Sequence, residues 1–291
     1  MLIGAIDIGS NAMRFLVASA TQFEGNAEYE RVEYLRYPIR LGEDVFTNKK
    51  ISHHKIEKLL KMLSAFKSMF EVFDVVGFHC CATSAMRDAE NSMEIINLIY
   101  KELGMEIEIL SGDREAKLIE KAIHSYLDKG NYIHIDVGGG STEITIMSDC
   151  EKLASQSFNI GTVRAIHHGI SDEKWYEVEK WVKGHKINHL AGIGTGGNIK
   201  KLYELSDIKA ATALPTTELE QLLTAMKSIS VEERMQKYKL NDDRADVIVH
   251  AALIFSKILH WAESDKIFAP NVGLIDGIAL AMWENYNSKE K

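Results

Sequence analysis

The spacing of apolar residues changes along the chain, and each change marks a predicted element. A short apolar run at Leu2–Ile8 precedes the polar turn Gly9-Ser10-Asn11, and Phe15–Ala20 restores the strand-like pattern. This order predicts two strands joined by a tight turn. From His53 to Phe73 the apolar residues recur at helical spacing, which predicts an amphipathic helix with Ser52 available as its N-cap.

The same reasoning places further elements along the rest of the chain. Strands are predicted within the polar stretch Gln22–Lys50, including Tyr29–Leu35, and then at Asp74–Cys81, Met105–Leu110, Tyr132–Val137 and Glu143–Met147. Helices are predicted at Met93–Leu103, Asp113–Asp128, Asp172–Lys183, Thr217–Ser228, Asp243–Ala262 and Leu274–Tyr286. Strands that alternate with helices in this way predict an α/β fold.

One local pattern occurs twice. An apolar run, an Asp, an aliphatic residue and a Gly stand at Asp7–Gly9 and again at Asp136–Gly138, which are 136 − 7 = 129 residues apart. A strand follows each turn. This recurrence predicts an internal duplication of a β-hairpin unit, with one copy in each of two domains.

Composition bounds the class of protein. The chain has 291 residues, of which 46% are hydrophobic and 26% charged, which fits two globular domains and excludes a disordered or fibrous protein. The charge balance of 34 − 42 = −8 argues against nucleic acid and acidic membranes as partners. The three cysteines lack metal-ligand spacing and suit a reduced interior better than a disulfide framework or a zinc site.

The apolar segments do not predict a membrane protein. The N-terminal run has no basic region and meets an acid at Asp7, unlike a signal peptide. Polar residues interrupt the longest apolar stretch, Ala245–Ala262, so a buried helix explains it better than a membrane span. We therefore expect a soluble, cytoplasmic protein.

The two Asp–aliphatic–Gly turns are the first candidates for chemistry. Glycine at a hairpin tip lets the backbone approach a ligand, and successive N–H groups can hold a phosphate. Asp7 and Asp136 would hold a divalent cation that bridges to phosphate oxygens. A single turn of this kind is explained as well by a simple chain reversal, whereas two similar turns favour a phosphate site.

Several residues after these turns carry suitable groups. Ser10, Asn11 and Arg14 follow the first turn, and Ser141, Thr142 and Glu143 follow the second. The hydroxyl and amide groups can donate to phosphate oxygens, and Glu143 can bind a metal or orient a water. Each of these residues, taken alone, is as well explained as a surface or turn residue.

Three further segments combine turns with polar side chains. Arg87 follows the strand end at Cys81 and offers a planar guanidinium suited to phosphate. Glu115 lies in the first turn of a predicted helix, where an acid also simply stabilises the helix. Gly192–Gly197 formally fits a dinucleotide-binding motif but lacks the required βαβ context, which argues against a dinucleotide fold.

Together the motifs resemble those of the exopolyphosphatase / guanosine pentaphosphate phosphohydrolase (Ppx/GppA) family. The segments that carry the resemblance occur in the family's order and span nearly the whole chain: Ile6–Phe15, Ala82–Ala89, Leu110–Ala116, Ile135–Glu143, Asn159–Arg164, Gly194–Gly197 and Arg244–Ile248. The resemblance implies two ribonuclease-H-like domains of the actin-like ATPase superfamily around a central cleft. It implies a first domain of residues 1–122 plus 277–291 and a second of residues 123–276, the short form of the family.

The resemblance also implies roles for individual residues. It makes Glu115 the catalytic base that activates water, with Arg87 as the second catalytic residue. It assigns phosphate binding to the two hairpin turns and to the later glycine pair: Ser10, Asn11, Gly138, Gly139, Gly140, Ser141, Gly196 and Gly197. It assigns Mg²⁺, or another divalent cation, to Asp7, Asp136 and Glu143. Arg114 stands where the family commonly has an acid, so we expect it to favour the ionised form of Glu115 or to contact a substrate phosphate.

The function implied is release of orthophosphate from the terminus of inorganic polyphosphate. Two alternatives stay open: hydrolysis of guanosine pentaphosphate at its 5′ end, and a non-catalytic nucleotide sensor of the same fold. Lys200, Lys201 and Lys209 could supply part of a basic track for a long polyanion, although solvated surface lysines explain them as well. We lean toward short-chain substrates and expect a homodimer.

Overall fold

The computed structural model describes residues 1–23, 26–206, 208 and 212–289. The chain divides into two compact units. Unit 1 comprises Met1–Ala122 and Gly273–Lys291, and unit 2 comprises Ile123–Val272. Among the candidate residues named above, Lys209 lies outside the described residues.

Unit 1 is built on a mixed sheet with helices. Its elements are β1 (Leu2–Ile8), β2 (Met13–Phe23), β3 (Asn26–Tyr37), α1 (Leu41–Asn48), α2 (His53–Val72), β4 (Phe78–Ala82), α3 (Ser84–Asp88), α4 (Ser92–Leu103), β5 (Glu108–Ile109), α5 (Gly112–Ile123) and α13 (Leu274–Lys289). The strand order is β3-β2-β1-β4-β5. The central strand β1 pairs antiparallel with β2 and parallel with β4.

The helices of unit 1 bury apolar faces. On α2, Leu59, Leu63, Phe66 and Phe70 recur at intervals of four or three residues and are all buried. Helix α13, from the far end of the chain, packs Ile278 and its neighbours against Ile3 of the sheet. The C-terminal segment therefore completes the core of the first unit.

Unit 2 repeats the plan of unit 1. After a short 3₁₀ turn, its elements are β6 (Asn131–Val137), β7 (Thr142–Ser148), β8 (Glu151–Phe158), α6 (Thr162–His168), α7 (Asp172–Gly184), β9 (Ala191–Thr195), α8 (Gly197–Leu205), β10 (Leu214–Pro215), α9 (Thr216–Lys227), α10 (Val231–Tyr238), α11 (Asp242–Ala245), α12 (Ile248–Trp261) and β11 (Lys266–Phe268). The strand order is β10-β11-β9-β6-β7-β8.

The two sheets correspond strand for strand. Read from the opposite edge, β8-β7-β6-β9-β11 repeats β3-β2-β1-β4-β5, and β10 adds one antiparallel strand at the end. In both units the first strand pairs antiparallel with the second and parallel with the fourth. The mixed α/β fold predicted from the sequence is confirmed, and the repeated topology extends the predicted hairpin duplication to a whole sheet.

Several predicted elements differ from the structure. The predicted strands Asp74–Cys81 and Met105–Leu110 are shortened to β4 and β5, and the predicted helix Asp113–Asp128 ends as α5 at Ile123. The stretch Gln22–Lys50, in which further strands are expected, also contains helix α1, whose Leu41, Val45 and Phe46 are buried. The long helix expected from Asp243 is divided into α11 and α12. At this break Arg234 Nη1 donates to the carbonyl of Ala245 at 2.9 Å, which takes an acceptor that a continuous helix would use.

Within the described ranges, none of the helices combines the length and the apolar character needed to cross a bilayer.

Candidate active site

The first hairpin carries a buried carboxylate paired with a cation. Asp7 is fully buried near the end of β1 and lies opposite Arg14 of β2 in the strand register. Arg14 Nη1 forms an ion pair with Asp7 Oδ2. Among the described residues, nothing donates a hydrogen bond to the buried Oδ1 atom of Asp7. One oxygen of the Asp7 carboxylate is therefore paired with Arg14, and the other remains available as an acceptor.

Helix α1 holds the backbone of the first hairpin tip. The turn closes with a hydrogen bond from Gly9 N–H to the Ala12 carbonyl at 3.1 Å. The Ser10 carbonyl accepts from the N–H of Gly42 in the first turn of α1, at 2.8 Å. Because the Ser10 carbonyl is bound by α1, the orientation of the turn relative to this helix is fixed.

The Ser10 side chain links this hairpin to the start of α3. Its Oγ lies 2.8 Å from Ser84 Oγ and accepts from the Ala85 N–H at 3.1 Å. Ser10 and Ser84 are both 3% exposed, so the hydroxyl pair is shielded from bulk water. Ser10 therefore fixes α3, the helix that carries Arg87.

Glu115 and Arg87 form a shielded pair in unit 1. Arg87 Nη1 donates to Glu115 Oε1 at 2.7 Å and to the Leu110 carbonyl at 2.6 Å. Glu115 is only 4% exposed although it lies in the first turn of a helix. Arg114, expected to favour ionised Glu115 or to contact a substrate phosphate, lies 3.7 Å from Glu108, and Arg87 contacts Glu115 directly.

The second hairpin has the same register but a different charge. Asp136 of β6 lies opposite Glu143 of β7, as Asp7 lies opposite Arg14. Glu143 is 1% exposed, and its Oε1 accepts from Ser157 Oγ at 2.8 Å. Directly opposed residues in an antiparallel pair have Cβ atoms about 4.5–5.5 Å apart. Unit 2 therefore presents two neighbouring carboxylates where unit 1 has an ion pair.

Helix α6 holds the second hairpin tip. Its first residues donate backbone hydrogen bonds to the turn: Thr162 to the Gly138 carbonyl at 3.0 Å, and Val163 to the Gly139 carbonyl at 2.8 Å. Arg164 Nε donates to the Gly140 carbonyl at 2.9 Å. Within the part of the chain that the structure describes, the N–H groups of Gly139 and Gly140 donate no hydrogen bond.

A close backbone contact explains one glycine of this region. A Cβ on Gly161 would lie 2.5 Å from both the N and the carbonyl C of Gly140. Only glycine permits this approach, because real Cβ contacts are never so short. The Gly138–Gly140 turn is therefore pressed against the start of α6, and its two unpaired N–H groups can hold an anion.

A third turn lies beside Asp136. Gly196 has φ 94°, a conformation that favours glycine, and a Cβ there would lie in tight contact with Asp136 Oδ1, at 3.0 Å. Gly197 begins α8, and its carbonyl accepts from Arg244 Nη1 at 3.1 Å. The predicted phosphate glycines 196 and 197 thus lie next to the predicted metal ligand of the same unit.

A buried histidine contacts the strand end that precedes this turn. His134 is 2% exposed, and its Nε2 lies 2.9 Å from Oγ1 of Thr195, which pairs with Asp136 in the strand register. Burial lowers the pKa of His134 to about 3, so the ring is neutral at physiological pH. It positions the strand end and carries no charge to the site.

Within each unit, the predicted residues lie together. Unit 1 contains Asp7, Ser10, Asn11, Arg87 and Glu115, and unit 2 contains Asp136, Gly138–Ser141, Glu143, Gly196 and Gly197. The predicted metal ligands are divided, with Asp7 in unit 1 and the other two in unit 2. The structure adds three residues to which the sequence assigned no role: Gly161, Thr195 and His134. The first two lie inside matched motifs.

The oxygen ligands fit a hard divalent cation. Mg²⁺ binds through one or two carboxylates together with phosphate oxygens and water. Within unit 2, Asp136 and Glu143 supply two adjacent carboxylates. Within unit 1, Asp7 has a buried oxygen without a donor among the described residues. The lysines considered for a basic track have local partners, since Lys200 bonds Asn271 and Lys201 bonds Glu204.

Comparison with known proteins identifies relatives along nearly the whole chain. Residues 24–286 match the model of the Ppx/GppA phosphatase family. A bifunctional 3-dehydroquinate synthase/phosphatase of Fusobacterium nucleatum is 30% identical, over 98% of this chain and 47% of its own length. The chain thus spans about half of that relative. Exopolyphosphatase 1 of Mycobacterium tuberculosis is 24% identical, over 87% of this chain and 80% of its own length.

A solved structure shares the fold. The Ppx/GppA family member from Aquifex aeolicus superposes with a TM-score of 0.80 at 24% identity, and the match covers 99% of each chain. At this identity the likeness establishes the fold alone. It shows that the two repeated sheets described above also occur in this Aquifex aeolicus protein.

Proposed function

The chain belongs to the Ppx/GppA phosphatase family, and from that premise we propose that it releases orthophosphate from the terminus of inorganic polyphosphate with the help of a divalent cation. Family membership and the relative named as an exopolyphosphatase support a phosphoanhydride hydrolase. Polyphosphate as the substrate and Glu115 as the base are the finer parts of the proposal.

The observation that carries the proposal is the environment of Glu115. A carboxylate that only stabilises a helix terminus can remain in solvent, where it contributes about 0.3–1 kcal/mol. Glu115 is instead 4% exposed and bonded to Arg87, which the Leu110 carbonyl holds in place. Burying a charged pair is costly, so this arrangement favours a chemical role.

The reaction assigns one task to each group. Glu115 accepts a proton from water as the water oxygen attacks the terminal phosphorus. The bond between that phosphorus and the bridging oxygen breaks, which releases orthophosphate and a chain shorter by one unit. Arg87 keeps Glu115 oriented through the hydrogen bond between them. The N–H groups of Gly139 and Gly140 bind phosphate oxygens, whose charge grows during the attack.

Asp136 and Glu143, with Asp7, would hold Mg²⁺. The cation would neutralise charge on the phosphate oxygens. Asp7 already pairs with Arg14, so we assign the greater part of the binding to the two carboxylates of unit 2.

Glu115→Gln tests the role of the base. We expect phosphate release to fall about 10²–10⁴-fold, because a positioned base contributes a factor of that size. The amide oxygen can still accept from Arg87, so circular dichroism should show the same fold, although loss of the buried charge should lower the free energy of unfolding by up to about 3 kcal/mol. Asp113→Asn is the matched control, since it removes the same charge from an exposed residue in the same turn. Undiminished turnover in Glu115→Gln would remove Glu115 from this role.

Substrate choice requires a separate assay. Phosphate release is measured from polyphosphates of graded length, guanosine pentaphosphate and ATP, each with and without Mg²⁺. Preference for guanosine pentaphosphate would replace the proposed substrate, and binding without release would indicate a sensor. Higher rates per chain end on polymers than on short oligomers would contradict the preference for short chains. The homodimer is tested by analytical ultracentrifugation.

A further inference from the structure

A cluster of three different metal-binding side chains lies in unit 1. None of the three is assigned to hydrolysis, although Cys81 is the register partner of Asp7. His79 and Cys81 are two positions apart on β4, so they project from the same face of the strand. Glu108 of β5 is the register partner of Cys81. Their ligand atoms all lie within 4.8 Å of one another, and among the described residues no other group of three does so.

We propose that His79, Cys81 and Glu108 bind a zinc-class divalent cation, with the fourth coordination position open to solvent. An imidazole, a thiolate and a carboxylate are all zinc ligands, and three protein ligands with an open position form a known type of site. The thiolate excludes Mg²⁺ as the preferred ion, since soft sulfur selects zinc and its neighbours.

The distances permit such an ion after small movements. His79 Nε2 and Glu108 Oε2 are now 2.8 Å apart. Tetrahedral ligands with bonds near 2.1–2.3 Å lie about 3.4–3.7 Å apart. The imidazole and carboxylate must therefore separate by less than 1 Å, and the thiol must approach by a similar amount, as side-chain rotations allow.

The surroundings supply access on one side and anchoring on the other. The side chains of His79 and Glu108 are 34% and 39% exposed, whereas Cys81 is fully buried among core residues. β5 is an edge strand, so the site is accessible from solvent. Glu108 Oε1 lies 3.7 Å from Arg114, which can orient the carboxylate while Oε2 remains directed at His79.

The thiol gains from a cation at this position. Burial and the nearby Glu108 carboxylate raise the pKa of the Cys81 thiol. Among the described residues Cys81 forms no disulfide. A bound cation would compensate the negative carboxylate and stabilise the thiolate. A metal site therefore explains why all three groups lie together, whereas a His79–Glu108 ion pair leaves the position of Cys81 unexplained.

The sequence alone gave little sign of this site. The cysteines lack the usual zinc spacing, and Glu108 is 108 − 81 = 27 residues after its nearest partner. Only the parallel register of β4 and β5 brings the carboxylate beside the thiol.

Cobalt binding to the purified full chain tests the proposal. The protein is stripped with a chelator, saturated with Mg²⁺ to occupy oxygen sites, and titrated with Co²⁺. We expect one equivalent to produce a thiolate-to-cobalt charge-transfer band in the near ultraviolet. Zn²⁺ should displace the Co²⁺ and abolish the band, because zinc binds such sites more tightly.

Variants assign the band to residues. Cys81→Ala should abolish it, and Cys80→Ala, which removes the neighbouring buried thiol from the opposite strand face, should retain it. If Cys81→Ala fails to fold, His79→Gln and Glu108→Gln are the deciding variants, since both positions are partly exposed.

The two polar variants should bind about tenfold or more weakly, because losing even an outer-shell partner of a metal ligand costs about 10–100-fold. No thiolate band, or a band that survives Cys81→Ala or leaves His79→Gln and Glu108→Gln unaffected, would overturn the proposal. None of these measurements depends on phosphate release, so the outcome is separate from the hydrolytic function.

Discussion

Arg14 and Glu143 occupy the same register position in the two hairpins, each opposite the aspartate of its own unit. Arg14 neutralises Asp7, whereas Glu143 adds a second carboxylate beside Asp136. The duplicated hairpins have thus diverged in charge while keeping their backbone. This divergence favours a division of labour in which the second hairpin attracts the cation.

The first prediction follows from this difference. Glu143→Gln should raise the Mg²⁺ concentration for half-maximal phosphate release about tenfold or more, because one of two carboxylates loses its charge. The dependence is measured by titrating Mg²⁺ at saturating substrate. Ser157→Ala, which removes only the hydrogen bond to Glu143 Oε1, is the control and should shift the midpoint less. An unchanged midpoint in Glu143→Gln would exclude it as a ligand.

The second prediction concerns the contact between Gly161 and Gly140. Gly161→Ala should displace the glycine turn and lower phosphate release, because the added methyl overlaps backbone atoms that cannot rotate away. Overpacking of this kind costs about 1–3 kcal/mol of unfolding free energy. Gly184→Ala is the matched control, since a Cβ there meets nothing within 4 Å. Comparable activity in the two variants would show that the turn tolerates movement.

The third prediction concerns the anchor of α13 in unit 1. Asp276 is fully buried and accepts two hydrogen bonds from Arg31, each 2.7 Å long, and another from Tyr29 at 3.0 Å. Asp276→Asn should lower the free energy of unfolding by about 3 kcal/mol. This value is at the lower end for a buried ion pair that loses one partner, because Arg31 is partly exposed. Hydrogen–deuterium exchange in α13 should accelerate accordingly.

An exposed pair on the same helix provides the comparison for Asp276→Asn. Glu284 pairs with Lys121, and their side chains are 51% and 33% exposed. Glu284→Gln should cost no more than about 1 kcal/mol. Equal exchange rates in the two variants would mean that Asp276 does not secure the helix.

Local patterns predicted what depends on near neighbours. Leu2–Ile8 was predicted as a strand and is one, and the recurrence of Asp7–Gly9 at Asp136–Gly138 predicted a duplication that the two sheets display. The helix at Asp243 was predicted too long, because the break depends on Arg234, which comes from another helix. The spacing of apolar residues along one segment contains no information about a hydrogen-bond donor from a different helix.

The candidate site shows the same limit. The resemblance assigned Glu115 and Arg87 to catalysis, but the bond between them joins residues 28 positions apart and follows from the packing of α3 against the start of α5. Arg114, adjacent to Glu115 in sequence, pairs with Glu108 instead. Adjacent residues on a helix point in different directions, so proximity in sequence does not determine which cation contacts Glu115.

The last prediction concerns the pH dependence of unit 2. His134 is buried with a pKa of about 3, against 6.5 for an unperturbed histidine. Between these values the unfolded chain binds a proton that the native state does not, so the free energy of unfolding falls as pH falls. The slope from this group is about 1.4 kcal/mol per pH unit below about pH 6.

His134→Gln removes the titration while retaining a partner for Thr195, so the difference in unfolding free energy between the wild type and the variant should narrow on acidification. Urea unfolding followed by tryptophan fluorescence measures this, with exposed His260→Gln as control. A difference that stays constant with pH would show that His134 titrates normally in the folded protein.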